Sequence, residues 1–194
     1  MTGTFSVDGG AVTSDVAKTD YEVMIPLAPP TYSTGTWTQA RAGQYYLTAT
    51  RTGANTTEYY SVAIPVPSRS TALKGIKLKA VTVVLTLSGT LNTTDDDLEI
   101  DIIKVTMPAD GSLPTGAILA GDDNTNDYAA AYNTKAKRLV AGSHNITVTI
   151  PTAEQAYLAT GEQLYVSVKV KDNANADLVI VLAAMHATFD YNTL

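Results

Sequence analysis

The chain has 194 residues, of which 45% are apolar and only 16% are charged, and its formal net charge is −6. Phosphate binding needs clustered lysine and arginine, so this charge argues against nucleic acid as the main partner. The absence of cysteine excludes disulfides, cysteine-ligated zinc and a thiol nucleophile. So low a charge is typical of a chain whose surface contacts other subunits, and equally of a soluble β protein coated with threonine and asparagine.

Neither a targeting signal nor a membrane span is expected from the pattern. The first residues, MTGTFSVDGG, lack the basic region and apolar run of a signal peptide. No stretch reaches 18 apolar residues, so we expect that the chain does not span a membrane and that a membrane is not among its partners.

Residues 1–36 show little regular pattern, and we interpret them as an extended N-terminal arm. A brief alternation at Val23, Ile25 and Leu27 ends at Pro29 and Pro30, which favour an extended path without ladder donors. We expect the arm to lie over a neighbouring subunit. An edge strand laid on its own domain, or a flexible terminus, is the alternative. The remainder, residues 37–194, is the predicted sandwich domain.

The stretch from Lys74 to Thr90, KGIKLKAVTVVLTLSGT, has the strongest strand pattern. Its first half alternates, with Lys77 and Lys79 on the polar side, and its second half is apolar on both parities apart from threonines. This is typical of a strand that starts half exposed and enters a covered core. Gly75 and Gly89 are turn residues at its ends. We predict that it is the central strand of a β-sandwich.

Period-2 patterns dominate the rest of the chain, and there is no internal repeat or βαβ alternation. We therefore predict an all-β fold: an antiparallel β-sandwich, jelly-roll-like, with an immunoglobulin-type sandwich as the alternative. Further strands are predicted at Gly43–Thr50, Glu58–Pro67, Leu98–Met107, Ser143–Pro151, Glu162–Lys171 and Asp177–Tyr191. Weaker patterns predict one or two helical turns at 127–133, a short strand over Lys135–Val140, and a short helix from Thr152 to Gly161.

An acidic, asparagine-rich loop is the one candidate metal site. The sequence DDNTND places Asp122, Asn124, Asn126 and Asp127 at the spacing that opens an EF-hand loop. The likeness then ends, because Asp127 stands where the loop needs glycine and position 12 is Asn133 rather than glutamate. We predict either a structural calcium ion or an ordinary Asx-rich loop, and no other cofactor.

The acids Asp95, Asp96 and Asp97, close to Glu99, raise the same question in a second loop. Carboxylates in a loop can hold calcium through oxygen, but spacing alone fixes no geometry, so a solvated loop is expected.

The pattern holds no recognisable catalytic motif. His144 and His186 are the only histidines, and neither G-x-S-x-G, H-x-H nor H-E-x-x-H occurs. We expect both imidazoles to be structural and the protein not to be an enzyme.

Aromatic and proline residues near the N-terminus are the candidate interface. Tyrosines occur in pairs at Tyr45–Tyr46 and Tyr59–Tyr60, and strand alternation turns one of each pair outward. Outward rings can build a subunit interface or a carbohydrate platform. We assign the interface to Trp37, Tyr45, Tyr59, Tyr32, Pro29 and Pro30.

The runs GTWTQARAGQYYLTAT and EYYSVAIPVPSRSTALKGIKLKAVTVVLTLSGTL carry a family likeness. A strand with a tryptophan is followed by a short strand, a lead-in of the form R-x-x-x-x-KG-I/F-K-L and a long strand. In this order of strands and lead-in, the chain resembles small virion structural proteins of tailed phages over about residues 35–110. The lead-in residues here are Arg69, Lys74, Gly75, Ile76, Lys77 and Leu78.

The resemblance implies a β-sandwich that serves as a capsid decoration protein, head fibre or tail component, and it carries no catalytic residues. We therefore expect a protein of the virion that forms homo-oligomers and contacts other shell proteins. A carbohydrate-binding or adhesin-like module is the first alternative, and a hydrolase on a sandwich scaffold is the second.

Overall fold

The computed structural model describes residues 19–42, 46–53, 56–66, 76–89, 92, 94–121, 124–172 and 178–191. Within them the strands are β1 (Thr19–Ile25), β2 (Tyr32–Ser33), β3 (Thr38–Ala42), β4 (Tyr46–Arg51), β5 (Thr57–Ala63), β6 (Ile76–Ser88), β7 (Asp97–Thr106), β8 (Thr115–Ala120), β9 (Gly142–Thr149), β10 (Glu162–Lys171) and β11 (Val179–Tyr191). One short helix, α1 (Lys135–Arg138), lies between β8 and β9. No helix in these ranges is long and apolar enough to span a membrane.

The strands form two antiparallel sheets. Sheet A has the order β3-β4-β11-β6-β9, and β1 pairs with the C-terminal half of β11. Sheet B has the order β2-β5-β10-β7-β8. The strands from β4 to β11 contribute four to each sheet in the order of a jelly roll. The prediction of an all-β, jelly-roll-like sandwich is therefore confirmed.

The predicted central strand is β6, and it pairs with β11 on one side and β9 on the other. Its buried residues change parity along its length, from Ile76 and Leu78 to Val81 and Val83. The pairing shows why, because the register with β11 shifts at Lys79, opposite the step from Thr188 to Phe189. This β-bulge inserts one residue and returns the apolar side chains to the core.

A second bulge does the same in β11. Its buried residues run on even positions through Ile180 and Leu182 and then on odd positions from Met185. The register with β6 shifts between Leu182 and Ala184, so Ala183 is the extra residue. The apolar run on both parities in this strand is therefore a bulged one-sided pattern rather than a strand covered on both faces.

The segment between β8 and β9 differs from its prediction. Residues 127–133 form turns rather than helix, and Lys135–Val140, predicted as a strand, contains the helix α1. Both Arg138 and Leu139 are buried, and adjacent strand residues would point to opposite faces. One helical turn brings both side chains against the sandwich.

The helix predicted from Thr152 to Gly161 is also wrong. Only one turn forms there, with the backbone N–H groups of Glu154 and Gln155 both donating to the Pro151 carbonyl. The chain then leaves the turn, and Leu158 packs against the core. This segment joins β9 of sheet A to β10 of sheet B, so it crosses between layers instead of continuing as a helix.

The described part of the predicted arm lies on the sandwich of its own chain. β1 pairs with β11 over seven positions, from Thr19 opposite Tyr191 to Ile25 opposite Met185. Ile25 and Leu27 are buried in the core. Residues 19–36 therefore match the alternative of an edge strand laid on its own domain, and residues 1–18 lie outside the described residues.

Truncation separates these two parts of the N-terminal segment. Deleting residues 1–30 removes β1 and the buried Ile25 and Leu27, so we expect it to lower the free energy of unfolding by about 3–6 kcal/mol, at about 1.5–3 kcal/mol for each buried side chain. Deleting residues 1–18 removes none of these contacts and serves as the control. Urea denaturation measures the free energy of unfolding of both deletion variants. Equal values for the two would contradict the placement of β1.

Candidate interaction surface

The outer side of sheet A is a broad surface without charge over most of its area, which we call face A. Its residues alternate with the core-facing ones of each strand and align in rows across β3, β4, β11, β6 and β9, and Thr82 near its centre is itself buried. It consists of Thr38, Ala40, Thr48, Thr50, Thr82, Val84, Thr86, Ser143, Asn145, Thr147, Val181, Ala184 and His186.

The hydroxyl groups of face A are largely bonded to one another or to the backbone. The hydroxyls of Thr82 and Thr147 are 2.9 Å apart, and the Thr48 hydroxyl donates to the Ala40 carbonyl at 3.3 Å. The Thr38 hydroxyl donates likewise to the Thr50 carbonyl at 3.3 Å. Covering this face with another protein therefore leaves few polar groups without a partner, which lowers the desolvation cost of contact.

On the outer side of sheet A, the described residues carry charge at the end where β1 begins. There Lys79 forms an ion pair with Asp20 at 2.7 Å, with Glu22, Lys77 and Asp190 on neighbouring positions. The outer side of sheet B differs, since it carries charge in its middle, where Lys169 pairs with Glu99 at 2.7 Å. The two outer faces of the sandwich are therefore chemically distinct.

The aromatic residues assigned to an interface do not gather on one surface. Trp37 is partly buried, packs against the core and has its ring centroid 5.0 Å from that of Tyr60. Tyr32, which is 56% exposed, lies opposite Ser61 on the outer side of sheet B, the side that Tyr59 also faces.

The two prolines lie in the connection from β1 to β2, Pro29 exposed and Pro30 half-buried, and Tyr45 is outside the described residues. The assignment of these residues to an interface stays a prediction, and sequence reasoning did not single out face A. The signal for face A was present in the outward threonines and asparagine of the alternating run around Ile146.

The candidate calcium loop is closed by its own hydrogen bonds where it is described. The carboxylate of Asp127 is buried and accepts from the Gly121 backbone N–H at 3.1 Å and from the Asn124 side-chain amide at 3.1 Å. Asn124 Oδ1 accepts from the Asn126 N–H at 3.2 Å, as in an Asx turn. Asp122 is outside the described residues, so calcium there remains a prediction.

The second acidic loop is built in the same way. The buried carboxylate of Asp96 accepts from the Asn92 N–H at 2.8 Å, and the Asn92 amide donates to Asp95 at 2.9 Å. Asp97 begins β7 and caps the Leu98 N–H at 2.9 Å. In the described ranges no group of three or more His, Asp or Glu side chains is arranged to hold a metal ion.

The two histidines flank β6 on opposite sides of sheet A, His144 opposite Leu85 and His186 opposite Thr82, and have separate surroundings. His144 Nε2 is 2.6 Å from the Val140 carbonyl oxygen, and its ring meets that of Tyr132 edge-on at 5.7 Å. His186 lies on face A, between Met24 and Thr82 in neighbouring strands. Neither contact forms a nucleophile–base pair of the kind that a hydrolase needs.

A fully buried ion cluster joins the two sheets at one end of the sandwich. Arg51 of β4 contacts Glu58 of β5 at 3.3 Å and Asp172, just after β10, at 3.0 Å, and it donates to the Leu178 carbonyl at 2.8 Å. The Thr36 backbone N–H donates to Glu58 at 3.0 Å. Such a buried, mutually bonded cluster is a structural clamp, because loss of one partner leaves an unpaired buried charge.

A second buried arginine covers the edge of sheet B where β8 stops. Arg138 donates from Nε to the Leu98 carbonyl at 2.7 Å, and its guanidinium lies 4.4 Å from the centre of the Tyr128 ring. The Tyr128 hydroxyl accepts from the Ile100 N–H at 2.9 Å and donates to the Ile100 carbonyl at 3.1 Å. These side chains replace the missing strand along this part of β7.

Comparison with known proteins identifies no family. No family model matches the chain, and no curated protein matches it significantly. Among solved structures, a cyclase from Fischerella sp. TAU is similar with a TM-score of 0.39 and 13% identity, covering 95% of this chain and 81% of that one.

Two virus structures are similar at a comparable level. The infectious bursal disease virus Gx strain gives a TM-score of 0.34 and 16% identity over 97% of this chain and 36% of that one. The VP2 subviral particle of the same virus gives a TM-score of 0.23 and 13% identity over 98% of this chain and 46% of that one. This chain thus spans less than half the length of either viral chain, and at such TM-scores these likenesses carry no argument about function.

Tyr128 predicts a specific alkaline sensitivity. Burial raises the pKa of Tyr128 above its ordinary value near 10, so the folded state keeps the phenol protonated while the unfolded state ionises. The stabilisation that the protonated Tyr128 phenol gives the folded state is complete below about pH 10, the pKa of the unfolded chain, and is lost as the pH rises further. We expect Tyr128→Phe to cost about 1–3 kcal/mol at pH 8, and the gap from the native chain to narrow by about 1 kcal/mol at pH 10.5.

Urea denaturation at the two pH values measures this effect. Tyr46→Phe is the matched control, since Tyr46 is exposed, and its stability should follow that of the native chain at both values. A Tyr128→Phe variant that behaves like this control would contradict the bonds to Ile100.

Proposed function

We propose that this chain is a non-enzymatic structural protein of a phage-like particle, which acts by assembling with copies of itself and with other shell proteins. The observation that carries the proposal is face A, an outer sheet surface with no charge across five strands. The cores of protein interfaces are depleted of lysine, aspartate and glutamate, and small and β-branched side chains suit the packing of one sheet on another.

The size of face A suits the central part of a subunit contact. Five strands at about 4.8 Å spacing are about 24 Å wide, and the five positions from Thr82 to Thr86 along β6 at about 3.3 Å each are about 17 Å long. The resulting area of about 400 Å² is about half of the roughly 800 Å² that each partner of a standard interface buries. A stable subunit contact therefore also needs residues around face A.

The particle is assigned from the resemblance of residues 35–110 to virion proteins of tailed phages. Its lead-in residues Arg69, Lys74 and Gly75 lie outside the described residues, while Ile76–Leu78 begin β6. The proposed arm is narrowed to residues 1–18, because residues 19–36 contact their own sandwich. In the proposal this shorter arm reaches a neighbouring shell protein.

The carbohydrate-binding alternative is weakened by the position of Trp37. Its side chain is partly buried and its ring packs against Tyr60, so the strongest candidate for sugar stacking is only partly open to solvent. Binding to a glycan array by the purified chain, abolished in Tyr32→Ala, would favour this alternative over assembly.

Charge placed on face A tests the proposal. Thr86 and Asn145 are exposed on this face, so Thr86→Lys and Asn145→Lys are tolerated by the folded chain but bring an ammonium group into the contact. We expect each to weaken self-association by about tenfold or more, which corresponds to about 1.4 kcal/mol. Light scattering coupled to size-exclusion chromatography measures the mass.

The matched control is Thr160→Lys, an exposed threonine in the connection before β10. It adds the same charge away from face A and should leave the mass unchanged. Equal masses for the control and both face A variants would overturn the proposal.

A further inference from the structure

The strand β8 is an edge that the fold leaves open. Among the described residues it pairs with β7 alone, and its other side carries no strand. The other edges are protected: β1 carries Asp20 and Glu22, β3 carries Arg41, and residues 127–129 pair along β9. β2 is two residues long. Natural sheets block edges with charge, shortness, bulges or cover. β8, with the sequence TGAILA, carries no charge and is exposed from Thr115 to Ile118, and the open part ends at a bulge at Leu119 and the buried Ala120.

The side chains at this edge are apolar and exposed. Ile118 is 48% exposed on the outer side of sheet B, and Leu113, in the turn that leads into β8, is 86% exposed. Gly116 lies on the same side as Ile118, over Ile103 and Val105, whose nearest methyl groups are 4.0 Å from the position of an added Cβ. The edge thus presents one apolar knob, Ile118, beside a notch at Gly116.

We propose that β8 pairs with β8 of a second copy of this chain, antiparallel about a two-fold axis at Ala117. Residues directly opposite in an antiparallel pair lie on the same side of the sheet, so a symmetric pairing must place one residue opposite itself. An axis at Ala117 places Ile118 of each copy opposite Gly116 of the other. The knob of one subunit then enters the notch of its partner, and sheet B continues across both subunits.

The order of residues around Ala117 favours a second copy as the partner. Gly116 and Ile118 are equally spaced about Ala117, so one symmetry operation places both Ile118 side chains opposite a glycine. A strand of an unrelated protein would have no reason to present a glycine at this position.

Charge does not oppose pairing along β8 itself, although both chains are acidic. Two copies with a net charge of −6 each repel one another over most of their surfaces. β8 has no ionisable side chain, and Lys104, which lies beside Ala117 on β7, is paired with Glu162 at 3.1 Å. Like charges are therefore not brought together along the paired strands.

A single engineered cysteine tests the axis, because the chain contains no cysteine of its own. Self-opposed residues of an antiparallel pair have Cα atoms about 4.5 or 5.5 Å apart, which a disulfide spans. We expect Ala117→Cys to form a covalent dimer under mild oxidation at least about tenfold faster than Ala141→Cys, an exposed alanine away from β8. Equal rates for the two variants would overturn the proposal.

Gly116→Val tests the notch. An added Cβ at this position meets only ordinary contacts within one subunit, and valine favours strands, so we expect the monomer to stay folded. In the Ala117→Cys background we expect it to slow crosslinking about tenfold, because it occupies the space of Ile118 from the second copy. Unchanged crosslinking would contradict the register.

The inference rests on the proposed self-assembly, but the two can fail separately. If face A is not a contact, Thr86→Lys leaves the mass unchanged while Ala117→Cys still crosslinks. If the β8 contact is absent, Ala117→Cys crosslinks no faster than Ala141→Cys, whatever the face A variants do.

Discussion

The pairing of β6 with β11 is the constraint on which the rest of the sandwich depends. These two strands form the middle of sheet A, and each contains a bulge that returns its apolar side chains to the core. Without the extra residues Lys79 and Ala183, half of each strand would turn its apolar side outward. The bulges therefore give face A its composition, because they leave threonine, alanine and valine outside instead of the bulkier core residues.

The sequence predicts the strands and their faces well, because alternation is a local property. β10 matches its predicted bounds, whereas the order of strands in the jelly roll depends on pairing between distant parts of the chain. Non-local contacts decide the rest: α1 forms because Arg138 and Leu139 both have to reach the sandwich, and β1 is fixed by pairing with β11, which its own residues do not reveal. Face A was missed because interfaces were sought among large aromatic residues.

Two arginines are buried in the interior, while face A, on the outer side of sheet A, has no charged residue. Arg51 and Arg138 are both buried, one in the ion cluster between the sheets and one over the open part of β7. Their positions close the end and the side of the sandwich that strands leave uncovered. Face A and β8 remain open and uncharged, and they point in different directions, one across sheet A and one along sheet B. A subunit with two such contacts can extend an assembly in two directions.

Sedimentation equilibrium of the unaltered chain, over a range of concentrations and at low and high salt, tests the central claim most directly. The account predicts a mass that rises with concentration from 20.5 kDa to a multiple of it. It also predicts that the association persists at high salt, because the contact surfaces carry no charge and salt screens the repulsion between two chains of net charge −6. A mass of one chain at every concentration, or an association that disappears when salt is added, would contradict it.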